Sequence, residues 1–158
     1  MPASARRLEA AEPAERVLVI TRVFDTPRDR LFEVWTKPEH MIRWWGPHGF
    51  TTPYHELDVR PGGAYRVCMR SPEGREHWLR GAYREIVAPK RLVFTYAWED
   101  EKGEPRHETV VTVNFEAQGD KTKLTLRQAI FETVTARDAH EGGWTSNFER
   151  LAEYLARL

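Results

Sequence analysis

The chain has 158 residues, a length that predicts one domain. It carries 24 basic and 24 acidic side chains, so it has no net charge that would attract it to nucleic acid or to an anionic membrane. It contains no apolar run near the roughly 20 residues that span a bilayer, and its single cysteine, Cys68, cannot form an intramolecular disulfide. We therefore expect a protein of a reducing compartment, the cytoplasm, that binds neither nucleic acid nor membrane.

The N-terminal part is predicted to contain one strand and two short helices. Residues 1–14 are rich in alanine and hold no continuous apolar block, so we expect a disordered tail rather than a signal peptide. The β-branched run from Arg16 to Phe24 predicts the first strand. Thr26 is expected to cap a helix that starts at Pro27, and a second short helix is expected from Pro38 to Trp45.

Six further strands are predicted by the alternation of apolar and polar residues between turn-forming segments. Short separators such as Arg60-Pro61-Gly62-Gly63 imply that consecutive strands pair antiparallel. One face of the resulting sheet is apolar. The expected strands are Thr52–Val59, Gly63–Arg70, Glu76–Val87, Arg91–Trp98, Arg106–Phe115 and Thr122–Ile130.

The C-terminal stretch, Thr135–Leu158, predicts a long amphipathic helix with Thr135 as its N-cap. Gly142 and Gly143 lie inside it, and each costs about 1 kcal/mol relative to alanine, so either another backbone approaches closely there or the helix is loosened. We expect residues 15–158 to form one α+β domain, in which the sheet curls around this helix without quite touching it. The predicted apolar stripe of the helix is Trp144, Phe148, Leu151, Leu155 and Leu158.

Several local patterns follow one another in a fixed order between Val17 and Leu155. They are FDTPRDRLFEVWT at 24–36, WWGP at 44–47, DVRPGG at 58–63, RSPEG at 70–74, GAYREIVAPKRLVFT at 81–95, TKLTLRQ at 122–128 and GGW at 142–144. The ordered set resembles the START-related ligand-binding superfamily (SRPBCC), and within it the branch named after the activator of the heat-shock protein 90 ATPase.

The resemblance implies a helix-grip fold, as in START domains and birch-pollen allergens. About seven antiparallel strands would surround the C-terminal helix, two short helices would follow strand one, and a cavity would lie between sheet and helix. Relatives bind hydrophobic or amphipathic small molecules, some branches catalyse cyclisation or hydration, and the namesake is a co-chaperone. Three functions therefore stay open: a ligand-binding domain, a cyclase-like or hydrolase-like enzyme using the same cavity, and a co-chaperone-like interaction domain.

The aromatic content favours the first of these functions. Six tryptophans, seven phenylalanines and five tyrosines exceed what a minimal core requires, and they predict a pocket for a small apolar or amphipathic molecule. Gln128 alternates with apolar residues, so its amide needs a partner: water, a ligand, or Tyr96, Tyr83 or His77. The predicted lining is Tyr65, Met69, His77, Tyr83, Phe94, Tyr96, Trp98, Val113, Leu126, Gln128, Trp144 and Phe148.

No catalytic residue, metal site or cofactor is predicted. The six histidines occur singly, without the spacing of a zinc site. In the enzyme alternative, Glu85, His77 or Gln128 would take part in proton transfer, although a salt bridge of Glu85 to a neighbouring strand is the commoner outcome. A homodimer through the outer surface of the sheet, at Trp78 and Val93, stays open.

Overall fold

The computed structural model describes residues 14–158, so the predicted tail lies outside the described residues except for Ala14, which belongs to a short 3₁₀ turn. Seven strands and three α-helices follow. The strands are β1 Leu18–Phe24, β2 Thr51–Leu57, β3 Ala64–Arg70, β4 Glu76–Val87, β5 Arg91–Trp98, β6 Thr109–Gln118 and β7 Lys121–Ala129; the helices are α1 Arg28–Thr36, α2 Pro38–Trp44 and α3 Val134–Ala156.

All seven strands form one antiparallel sheet in the order β1-β7-β6-β5-β4-β3-β2. Strands β2 to β7 follow chain order because short turns join them, and β1 closes the far side by pairing with β7, with Leu18 opposite Gln128. The predicted α+β helix-grip architecture is confirmed. None of the helices within residues 14–158 is long and apolar enough to cross a membrane.

Helix α3 touches the sheet on one side, contrary to the expectation that it would stand clear of it. The Phe148 ring lies 5.7 Å from the ring of Phe24 on β1, and Trp144 hydrogen-bonds across to β7. Both side chains are buried, as is Leu151, so these three residues of the predicted apolar stripe form the core face of the helix. Leu155 is partly buried, and Leu158 is exposed beyond the helix end at Ala156. These packing contacts lie at β1 and β7, and a hydrogen bond between Trp98 and His140 joins the helix to the end of β5, so the pocket lies between these contacts and the loop after α2.

Two predicted helix caps are wrong by one or two residues. Helix α1 begins at Arg28, with Pro27 in the cap position, and the carbonyl of Thr26 instead accepts a hydrogen bond from Thr122 Oγ1 at 2.8 Å. Helix α3 is capped by Thr133, whose Oγ1 accepts the N–H of Ala136 at 3.0 Å. Thr135, which was predicted as the cap, already lies in the first helical turn.

A β-bulge in β4 moves Glu85 to the outer surface. Tyr83 pairs with Phe94, yet Glu85 pairs with Val93, so one extra residue enters β4 and reverses its alternation. Glu85 is exposed and forms an ion pair with Arg91, with 3.1 Å between Oε1 and Nε. The hypothesis of a pocket carboxylate at this position is wrong, whereas the expected salt bridge to a neighbouring strand is confirmed.

The two residues considered for a dimer contact do not form an exposed apolar patch. Val93 is buried, and the guanidinium of Arg66 lies 4.1 Å above the Trp78 ring. The same guanidinium donates two hydrogen bonds to Glu99, at 2.7 and 2.8 Å. A stacked arginine that is also ion-paired covers the aromatic surface that a partner would need.

Candidate ligand-binding site

A pocket of about 400 Å³ lies between α3 and the middle strands of the sheet. Its volume falls in the range of small-molecule sites, roughly 300 to 1,000 Å³. One wall comes from the loop after α2, a second from β3, β4 and β5, and a third from α3. The lining residues are Trp45, Gly46, Pro47, Phe50, Met69, His77, Tyr96, Trp98, Ala139, His140, Gly143, Trp144 and Asn147.

The hollow exists because a second stripe of α3, beside its core stripe, carries small side chains. Ala139, Gly143 and Asn147 are spaced four residues apart, so they share one face of the helix. A Cβ atom added at Gly143 or Gly142 would meet no other atom within 4 Å. Neither close backbone contact nor a loosened helix explains the two glycines, since α3 is continuous through them and they face open space.

Aromatic rings form most of the pocket wall. The Trp144 ring lies 5.5 Å from Trp45 and 6.4 Å from Tyr96, and the His77 ring lies 6.3 Å from Trp98 and 6.1 Å from Phe50. Such rings bring large apolar area with few rotatable bonds. The pocket wall therefore presents mainly apolar ring surface.

Gln128 fixes the position of Trp144 from behind the pocket wall. Its Oε1 accepts the Nε1–H of Trp144 at 2.8 Å, and its Nε2 donates to Thr109 Oγ1 at 2.8 Å. The Thr109 hydroxyl donates in turn to the carbonyl of Tyr96 at 3.4 Å. Gln128 is fully buried, and its partners are Thr109 and Trp144 rather than the side chains proposed from the sequence.

His140 is neutral and holds Trp98 in place. Its Nδ1 lies 2.7 Å from the carbonyl of Ala136, which can only accept, so Nδ1 carries the proton. Its Nε2 accepts the Nε1–H of Trp98 at 3.0 Å. Burial lowers the pKa of His140 below its usual value. With both nitrogens engaged, this imidazole supports the wall and has no free position for proton transfer.

Arg150 fastens the loop that forms the pocket wall opposite the sheet. Its guanidinium donates to the carbonyls of Trp45, Gly46 and Pro47 at 2.9, 3.1 and 3.2 Å, and to that of Arg43 at 3.2 Å. These carbonyls lie at the C-terminal end of α2, where a cation is favourable. Burial lowers the pKa of Arg150 below its usual value.

The structure distributes the twelve predicted lining residues over three places. Met69, His77, Tyr96, Trp98 and Trp144 line the pocket. Three others line a separate hollow of about 20 Å³, and four are buried in the core beside neither space. The residues of the small hollow are Tyr65, Tyr83 and Phe94, and those of the core are Val113, Leu126, Gln128 and Phe148.

Eight lining residues were missed from the sequence. On α3, Ala139, Gly143 and Asn147 carried a usable signal, since small side chains recur there at a spacing of four beside the large apolar stripe. The loop residues carried only the WWGP pattern, which does not tell which way each side chain faces. The missed residues are Trp45, Gly46, Pro47, Phe50, Ala139, His140, Gly143 and Asn147.

The titratable groups of the pocket wall are His77, His140 and Tyr96. Burial raises the pKa of the Tyr96 hydroxyl, which therefore stays protonated. In the described part of the chain, no group of three histidine, cysteine or acidic side chains could hold a metal ion. No acidic side chain lines the pocket, so an acid–base reaction there would depend on His77.

Comparison with known proteins gives one family and many similar structures. The model of the family described as Activator of Hsp90 ATPase homolog 1-like protein matches residues 25–156. No curated protein matches the chain. The AHSA1 protein from Silicibacter pomeroyi is 28% identical, with 89% of this chain and 97% of that chain covered and a TM-score of 0.83. A protein from Rhizobium leguminosarum is also 28% identical, with 90% of this chain and 95% of that chain covered and a TM-score of 0.76. A protein from Arthrobacter aurescens is 26% identical, with 92% of this chain and 88% of that chain covered and a TM-score of 0.80.

Proposed function

The chain belongs to the family of Activator of Hsp90 ATPase homolog 1-like proteins, and from this premise we propose that it binds a small apolar or amphipathic molecule between α3 and the sheet. The family suggests a ligand-binding domain or a co-chaperone-like domain. The observation that carries the proposal is the open space at Gly143, where an added Cβ would meet nothing within 4 Å although Trp144 beside it is packed into the core.

Leaving this space open has an energetic cost. Protein interiors are close-packed, and a glycine in a helix interior costs about 1 kcal/mol relative to alanine. An alanine at position 143 would reduce both costs, because its Cβ would meet nothing within 4 Å. A bound molecule would fill the hollow and contact the apolar wall, which supports ligand binding as the reason for the glycine.

The other two functions have less support. A protein-interaction domain would present a contiguous exposed apolar patch, whereas the large exposed apolar residues in the described part of the chain lie on four different elements or at their ends. An enzyme would need an acid or base in the pocket. Glu85 lies outside it, which leaves His77 as the lining group for that role. The exposed apolar residues are Val19, Val23, Tyr54, Val87, Val134 and Leu158.

A fluorescence titration with N-phenylnaphthylamine, an uncharged dye that brightens in apolar sites, tests the proposal. Wild-type protein is expected to bind the dye. Gly143→Leu places an apolar side chain in the pocket and should weaken binding by at least about tenfold, a loss of roughly 1.4 kcal/mol. Gly142→Leu is the matched control, because position 142 is exposed and does not line the pocket.

Both variants should stay folded, since neither added side chain meets an atom within 4 Å of its Cβ. The control should bind the dye within about twofold of wild type, because a change outside the pocket alters no contact. Two results would refute the proposal. One is a wild-type protein that does not bind the dye, and the other is an equal loss of binding in the two variants.

A further inference from the structure

We propose that the ligand is an uncharged aromatic molecule whose polar group both donates and accepts hydrogen bonds, and that Asn147 recognises this group. The inference rests on the proposed function and specifies the chemistry of the same pocket. It is carried by the unused hydrogen-bonding capacity of the pocket wall together with the absence of acidic, lysine and arginine side chains among its lining residues.

Asn147 is the main polar feature of the α3 wall. Its side chain is only 5% exposed and lies on the stripe that includes Gly143. Its Oδ1 is buried without a hydrogen-bond partner within residues 14–158. An unpaired buried amide costs about 1 to 3 kcal/mol, whereas the buried amide of Gln128 is paired at both ends. The cost at Asn147 is explained if a ligand supplies the missing partner.

Trp45 adds an unused donor among the lining residues of the pocket, and it also borders the small hollow. Of the three pocket tryptophans, Trp98 donates to His140 and Trp144 donates to Gln128. The Nε1–H of Trp45 is buried and has no partner in the described part of the chain. A carbonyl or hydroxyl oxygen on the ligand would satisfy such a donor, while the amide of Asn147 can both donate and accept.

The charges around the pocket indicate that this polar group is neutral. No aspartate, glutamate, lysine or arginine lines the pocket, and His140 is neutral with both nitrogens engaged. Arg150, which fastens the loop wall, already donates to four backbone carbonyls. A carboxylate or phosphate would therefore lose its hydration without a lysine or arginine among the lining residues to pair with it.

An aromatic wall can also bind a cation through the faces of its rings, so a cationic ligand is the strongest competing class. Two features favour a neutral molecule. The amide of Asn147 and the indole N–H of Trp45 are hydrogen-bonding groups that an alkylated ammonium cannot satisfy, and the wall offers no carboxylate to neutralise the charge.

Four naphthalene compounds that share one ring system separate these classes by isothermal titration calorimetry. They carry a carboxamide, a carboxylate, a methyl group or a trimethylammonium group. Wild-type protein should bind the carboxamide at least about tenfold more tightly than the carboxylate, which has the same shape. This ratio corresponds to about 1.4 kcal/mol. The carboxamide should also bind more tightly than the trimethylammonium compound.

Asn147→Leu tests the residue itself, because leucine keeps the branched shape and removes the hydrogen-bonding atoms. The variant should bind the carboxamide about tenfold more weakly than wild type does and bind the methyl compound within about twofold. Asn147→Ala serves as a second variant with the same expected loss. Retained binding of N-phenylnaphthylamine by either variant shows that its pocket is folded.

The outcomes distinguish the inference from the proposed function. If wild-type protein binds N-phenylnaphthylamine but prefers the carboxylate or the trimethylammonium compound, the inference is refuted and the binding function stands. If both Asn147 variants bind the carboxamide as tightly as wild type does, Asn147 does not recognise the polar group. If wild-type protein binds neither the dye nor any naphthalene compound, the proposed function fails, and the inference with it.

Discussion

The buried bridge between Gln128 and Trp144 should be energetically coupled, because each side chain satisfies the other where water cannot reach. Gln128→Leu leaves the indole N–H of Trp144 unpaired and removes the donor to Thr109. Trp144→Phe removes the indole N–H and leaves Oε1 of Gln128 unpaired. The bond between them measures 2.8 Å, and both residues are at most 4% exposed.

The expected magnitude follows from the cost of an unpaired buried polar group, about 1 to 3 kcal/mol. Gln128→Leu should lower the free energy of unfolding by about 2 to 4 kcal/mol, since one bond is broken at each end of the amide. For a chain of this length, that loss corresponds to a Tm decrease of about 5 to 15 °C. Trp144→Phe should also destabilise, through the unpaired Oε1 and a small cavity.

Urea unfolding of wild type, both single variants and the double variant measures the coupling. Because the double variant leaves neither partner unpaired, its loss should be smaller than the sum of the single losses by about 1 to 3 kcal/mol. If the losses add within about 0.5 kcal/mol, the two side chains do not depend on each other and the reasoning is refuted.

Three further changes test other parts of the fold. Gly142→Ala and Gly143→Ala should each raise the free energy of unfolding by about 0.5 to 1 kcal/mol in urea titrations, because alanine favours the helix and meets no atom there. Arg150→Met should speed amide hydrogen exchange at Trp45 and Gly46, because it removes the bonds of that loop to α3. Acidification below the usual histidine pKa, about 6.5, should destabilise wild type more than His140→Gln, because the unfolded chain protonates that histidine before the folded chain does.

Each of these expectations has an opposing result. A lower stability of either alanine variant would mean that the glycines are needed by the fold itself. Unchanged exchange in the Arg150 variant, with exchange in α1 as the internal reference, would show that the loop is held by other contacts. Parallel curves of unfolding free energy against pH for wild type and His140→Gln would show that His140 titrates normally.

The architecture was predictable because strands β3, β5 and β7 alternate regularly and short turns join consecutive strands. Period-two patterning fixes which side chains share a face, and Tyr96, Trp98 and Met69 line the pocket from that face. The prediction failed at Glu85, where one extra residue in β4 reverses the alternation. A bulge of this kind depends on pairing with a distant strand, so local periodicity does not reveal it.

The pocket was less predictable than the sheet, because a hollow is defined by what its neighbours leave unfilled. The large residues of α3 identified the core face, whereas Ala139, Gly143 and Asn147 beside them form the pocket face. Gln128 was correctly singled out as a buried amide that needs a partner. Its partners lie on β6 and α3, at distances along the chain of 19 and 16 residues, so only the folded arrangement identifies them.

The most direct test of the central claim is a crystal structure of the protein with naphthalene carboxamide bound. The account predicts that the ring lies between Trp144 and the middle strands, in contact with Gly143, and that the carboxamide is within hydrogen-bond distance of Asn147. A compound bound on the outer surface of the sheet, above a pocket that the protein's own side chains have filled, would contradict it.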